Sequence, residues 1–188
     1  MALAYLIAAV GAAVFLFSTN YVNASSNSKP IKVLIVDGFS NHDWRQTIRV
    51  IRQILGDTRL FHIEVSTTPA SPDAPGWDAW RPQFGQYDVV IQNTNNIGKS
   101  QLRWPREVET ALENYVKAGG GLYIFHSANN AFSHWKEYDH MIGLGWRGQD
   151  AGTTLEITED GKIIRIPPGE GKGTSHGPRL DMEGVRFP

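Results

Sequence analysis

Six histidines and no cysteine bound the chemistry open to this 188-residue chain. Without a thiol there is no cysteine nucleophile, no disulfide, no Cys-ligated zinc or iron–sulfur site and no acylated cysteine. Imidazole remains as the side chain that gives and takes protons near neutral pH. Three histidines sit in polar turn-like segments. His42 lies in Ser40-Asn41-His42-Asp43-Trp44, His126 in Phe125-His126-Ser127-Ala128-Asn129, and His176 in Ser175-His176-Gly177-Pro178-Arg179. Three imidazoles with an open position suit a catalytic divalent metal such as zinc. No local ligand spacing fixes that set, so a metal-free reading stands beside it. In that reading one histidine is a general acid or base, oriented by amide or carboxylate partners.

Other motifs point elsewhere or nowhere. Ser127 follows His126, but its surroundings lack both glycines of G-x-S-x-G, which leaves a serine-hydrolase reading weak. There is no G-x-G-x-x-G, no P-loop and no H-E-x-x-H. Gly119-Gly120-Gly121 precedes a strand pattern and reads as a helix stop. On a helix His134 would share a face with Glu137 and Tyr138, and Glu137 one with His140. His62, inside a strand pattern beside Glu64, reads as structural.

The elements that must position these groups alternate. Residues 31–37 (IKVLIVD) form a β-rich apolar run, the signature of a central strand. Trp44, Ile48, Ile51 and Leu55 repeat at helical spacing, with Asn41 or Asp43 as N-cap and Gly56 as stop. Strands are expected at 61–66, 87–92 and 122–126, and helices at 105–118 and 132–142. Residues 155–158 and 162–166 flank Glu159-Asp160-Gly161 as a hairpin. Strands separated by single helices imply right-handed crossovers and a parallel sheet. In such α/β folds ligands bind beyond the carboxyl ends of the strands. The turns there hold Asp37, Asn93, Asn95, His126 and Asn129, and are rich in neutral hydrogen-bonding groups with one histidine among them. They suit a neutral polyhydroxylated ligand, not a nucleotide.

The charge balance, 18 Lys+Arg against 19 Asp+Glu, shows no footprint of a nucleic-acid binder. The first charged side chain is Lys29, and residues 3–17 are continuously apolar. Residues 1–24 therefore read as a signal peptide or an N-terminal membrane anchor, with attachment through residues 1–22, against the lesser reading of a buried helix. Their n-region carries no Lys or Arg. Residues 25–30 form a polar linker and 31–188 the domain. The expected location is extracytoplasmic, periplasmic or secreted, or anchored and facing outward.

The ordered motifs resemble one family. Val36-Asp37-Gly38 with Asn41-His42-Asp43-Trp44, Gly119 to His126, Trp135-Lys136-Glu137-Tyr138 with Met141-Ile142-Gly143, and Ser175-His176-Gly177-Pro178-Arg179 are similar to the ThuA-like (trehalose-utilisation) family. The resemblance implies an α/β flavodoxin-like three-layer sandwich with a mostly parallel sheet, related to class I glutamine amidotransferases. The amidotransferase cysteine is missing, so glutaminase chemistry is not implied. It further implies action on a carbohydrate, a disaccharide or 3-keto-sugar, by a hydrolase, lyase or isomerase. His126 is the expected base or ligand, with His42 and His176 as partners. Asp37, Asn93, Asn95, Asn129, Glu137 and Arg179 are expected to bind sugar hydroxyls, and Trp135 to stack on a pyranose. A non-catalytic carbohydrate-binding or accessory protein at the membrane is the alternative. Family members continue past Arg179 with another strand, so the domain reads as C-terminally incomplete.

Overall fold

The structure, a computed structural model, describes residues 29–148 and 150–171. His176, Arg179 and the apolar N-terminal segment lie outside the described residues.

Strands β1 (Ile31–Asp37), β2 (Phe61–Thr67), β3 (Val89–Gln92) and β4 (Gly121–Ile124) form one parallel sheet in the order β2-β1-β3-β4. That is the order in which a doubly wound flavodoxin-like sheet begins. Helix α1 (Trp44–Asp57) lies on one face, with α2 (Arg106–Lys117) and α3 (Lys136–Ile142) on the other. β1 shows why the sequence chose this layering. Val33 and Ile35 pack under α1 with Ile48 and Ile51, while Leu34 and Val36 join the opposite core. A strand buried on both faces has no polar position to spare, hence its unbroken apolar run.

The α2/α3 side holds the larger core, and it is aromatic. Phe132 lies 5.1 Å from Trp104, 5.7 Å from Trp135 and 5.4 Å from Tyr138, centroid to centroid. Tilted and edge-on pairs of this kind add about 0.5–1.5 kcal/mol each beyond their buried area. The loop between β2 and β3, rich in Pro and Asp, contributes Trp77 and Trp80 to this core.

Several sequence expectations shift. Asp43 is the N-cap of α1, accepting from Gln46 N at 3.0 Å, and the helix runs past Gly56 to Asp57. β4 ends at Ile124, so His126 opens a 3-10 turn (His126–Asn130) instead of closing the strand. α3 starts at Lys136, not 132, because Phe132 adopts φ 54° and cannot continue a helix. His134 therefore lies before the helix, and Tyr138 is in the core. Strands β5 (Thr154–Ile157) and β6 (Ile163–Ile166) form the expected antiparallel hairpin as a separate two-stranded sheet.

Candidate functional site

The carboxyl end of β1 turns sharply at Gly38. Its φ is +132°, and a Cβ there would stand 2.2 Å from the Thr68 carbonyl oxygen, so only glycine fits. The chain then runs through Ser40, Asn41 and His42 before α1 begins. β3 ends next door and leads into Asn93-Thr94-Asn95-Asn96, all buried. This is the place where the winding of the sheet reverses, between β1 and β3, and open α/β sheets bind ligands there.

Asn95 ties the turns together. It is 2% exposed, and its Nδ2 lies 2.7 Å from Ser40 Oγ, 2.9 Å from Asn41 Oδ1 and 2.8 Å from Ser127 Oγ. One amide nitrogen has two hydrogens for these three acceptors, so the cluster is crowded with acceptors. Asn95 Oδ1 accepts from Ile97 N. The result is a brace between the β1 turn and the turn after β4. On that brace stand His42 and His126, both exposed, with ring centroids 4.9 Å apart and planes at 42°.

His126 has φ 45°. A left-handed backbone is uncommon outside glycine and costs of order 1 kcal/mol or more, and such residues cluster at functional sites. The turn that holds it rests on a buried polar layer. Gln92 Nε2 donates to Thr94 O at 3.0 Å and to Tyr138 OH at 3.1 Å, and Tyr138 OH donates to Ala128 O at 2.8 Å. Burial holds the Tyr138 phenol well above its ordinary value, so it stays a neutral donor.

Asp37 ends β1, and Asn93 follows the last residue of β3. Both are buried, and Asp37 Oδ1 and Asn93 Nδ2 have no hydrogen-bond partner in the structure, as is also true of Thr68 Oγ1. Burial raises the Asp37 carboxyl above its ordinary value, against a Thr67 hydrogen bond and the Arg45 charge that lower it.

The remaining expected residues do not join this constellation. Trp135 is 1% exposed, with Nε1 donating to Glu113 Oε1 at 2.7 Å, so its ring belongs to the core and presents no face for a pyranose. Asn129 spends its amide on its own fold: Nδ2 donates to Leu144 O at 2.6 Å and Oδ1 accepts from Trp146 N at 2.7 Å. Glu137 is exposed in the first turn of α3. Among the described residues no group of three or more His, Asp or Glu is placed to hold a metal. His42 and His126 supply two imidazoles of the expected three-histidine set. Ser40 and Asn41 are the residues that sequence reasoning left out of the site. Their signal was position, since they share the strand-end turn with His42.

Comparison with known proteins gives a consistent picture. The ThuA family, described as trehalose utilisation, matches residues 32–166. A solved structure described as a ThuA-like protein, from Parabacteroides merdae, superposes with a TM-score of 0.68 at 32% identity. The match covers 79% of this chain and 51% of that one, so this chain spans about half the length of that relative. No curated protein matches.

Proposed function

This chain belongs to the ThuA family of trehalose utilisation, and from that membership we propose that it acts on a disaccharide or 3-keto-sugar by histidine acid–base chemistry. The observation that carries the proposal is the pair of exposed imidazoles, His42 and His126, 4.9 Å apart at the strand carboxyl ends. In a keto-sugar the carbon beside the carbonyl is the acidic one. As the base, His126 takes that proton, and the electron pair moves onto the carbonyl oxygen. His42 donates a hydrogen bond to the oxygen as charge develops there. Asp37 and Asn93, with polar atoms not yet paired, support the reading as groups that sugar hydroxyls would engage. His176 and Arg179 are proposed to complete the site.

The same proposal places the protein outside the cytoplasm. The support is the charge-free stretch before Lys29. Among the described residues no helix is long and apolar enough to cross a membrane.

The test is turnover of trehalose and 3-keto-trehalose by the wild type, His126→Ala and His42→Ala, each with and without EDTA. Loss of a positioned acid or base should lower the rate about 10²–10⁴-fold. A wild-type rate in His126→Ala would overturn the catalytic reading. Sugar binding without product in every metal condition would instead favour a non-catalytic binding protein. A rate lost on EDTA treatment and restored by zinc would assign the histidines to a metal.

A further inference from the structure

The chain enters its four parallel strands through four junctions, residues 29–32, 57–60, 86–88 and 117–120. Hydrogen bonds stitch these junctions side by side. Ile31 N donates to Leu60 O at 2.9 Å, Lys32 N to Asp88 Oδ2 at 2.8 Å, and Gly121 N to Asp88 O at 3.1 Å. Together they form a base at the amino ends of the strands. His42 and His126 follow the carboxyl ends of β1 and β4, so they stand at the opposite end of the sheet. We propose that this base is a docking face that rests on an anionic lipid surface. The proposal deepens the extracytoplasmic reading above, since it takes residues 3–17 as the stretch that reaches the bilayer.

Charge complementarity is the first support. The junctions hold Lys29, Lys32, Arg59 and Lys117, all exposed, against two carboxylates, Asp57 and Asp88. Among the described residues the ion pairs involve none of these four cations. The net charge of the whole chain is -1, so the positive excess belongs to this face. A basic residue held within a Debye length of an anionic leaflet gains about fivefold in partitioning.

The second support is apolar. Ile31 is 41% exposed and Leu60 51%, and the hydrogen bond between their backbones sets them side by side among the cations. Binding at the headgroup boundary grows with the apolar area inserted and with attraction to anionic lipid, and this base offers both.

The third support is connectivity. Residues 3–17 are continuously apolar, and the stretch that contains them joins the domain at Lys29, within the base. A bilayer reached by those residues therefore holds the base toward itself. The strand carboxyl ends then open away from the lipid, toward the solvent from which a sugar arrives.

The lack of cysteine allows one dye per molecule. Leu60→Cys places an environment-sensitive dye on the base, and Lys99→Cys places one beyond the carboxyl end of β3. The full chain is mixed with phosphatidylcholine vesicles, with and without about a third phosphatidylglycerol. The dye at residue 60 should shift to the blue on anionic vesicles, and at least about threefold less on neutral ones. The dye at residue 99 should not shift. Combining Lys29→Gln, Arg59→Gln and Lys117→Gln should reduce the anionic shift to the neutral level, as should about 0.5 M salt. Arg49→Gln, on the exposed side of α1, should leave the shift unchanged. Capture by neutral vesicles with no added shift on anionic ones would overturn the docking face and leave the extracytoplasmic reading standing. Equal shifts at residues 60 and 99, or a shift that the triple variant keeps, would also overturn the face. If neither vesicle captures the chain, both fall together.

Discussion

Asp37 shows how a residue of the candidate site works against the fold that holds it. Its carboxyl is raised by burial, more than Thr67 and Arg45 lower it. A carboxyl raised in the folded state leaves stability intact below its unfolded value near 3.8, and stability falls as pH rises through the folded value. Burial thus makes ionisation of this carboxyl a cost to the fold. Asp37→Asn should raise the thermal midpoint at pH 7, and the gain should shrink toward pH 3.5, measured in parallel melts. A variant no more stable than wild type at pH 7 would contradict the burial account. Turnover in the same variant should fall, the usual exchange between stability and activity. At this scale the placement of much of the candidate site was legible. His42, His126 and Asn95 follow from the strand-end rule, because residue type and position along a βα unit are both visible in the sequence. Trp135 was not legible. Its neighbours Ser133, His134 and Lys136 are polar, and only the tertiary packing of Phe132 and Tyr138 shows that the indole turns inward.

Helix α2 carries an ion cluster at its start. Glu107 and Glu109 stand in its first turn, where acidic groups complement the helix dipole. The Glu109 side chain is 1% exposed, and Arg103 grips it with two bonds, Nε to Oε1 at 3.1 Å and Nη2 to Oε2 at 2.7 Å. Arg106 adds a longer contact at 3.3 Å from an exposed position. The partners are unequal. Arg103→Ala would leave a buried carboxylate under-paired and should cost about 2–4 kcal/mol. Arg106→Ala removes a solvated contact and should cost about 1 kcal/mol or less. Urea denaturation of the two variants checks the order, and equal losses would refute it. The elements themselves were largely legible, since β1, α1 and the hairpin follow from period and turn residues. The start of α3 was not. Phe132 fits a helical stripe by type, but Asn96 Oδ1 accepts its N–H at 2.9 Å and its ring fills the core, so the backbone yields to φ 54°. The left-handed turn at His126 is hidden for the same reason, because the network that holds it comes from Gln92, Tyr138 and Asn95.

At the scale of the molecule, the described residues cover the two faces of the sheet unequally. On the α1 side a groove of about 400 Å³ runs between the helix and β4, lined by Val33, Ile54, Phe61, Ile91, Tyr123 and Phe125 among others. Tyr123 is 56% exposed and Ile54 61%. Apolar surface of this kind invites self-association. Tyr123→Lys and Ile54→Lys should lower binding of a hydrophobic dye and reduce light scattering at high concentration, with sugar affinity unchanged. Unaltered dye binding would show that the groove is not the sticky surface. The layering and the parallel sheet were legible from alternation. The strand order was inferable only by resemblance, because no local pattern records which strands become neighbours. That order has a consequence in time. β1 leaves the ribosome first yet lies between β2 and β3, with Val36 facing Ser66 on one side and Gln92 on the other. At roughly 5–20 residues per second, the wait from Asp37 to Gln92 is about 3–11 s. Throughout that interval the central strand lacks its β3 neighbour, and one of its two hydrogen-bonding edges stays open.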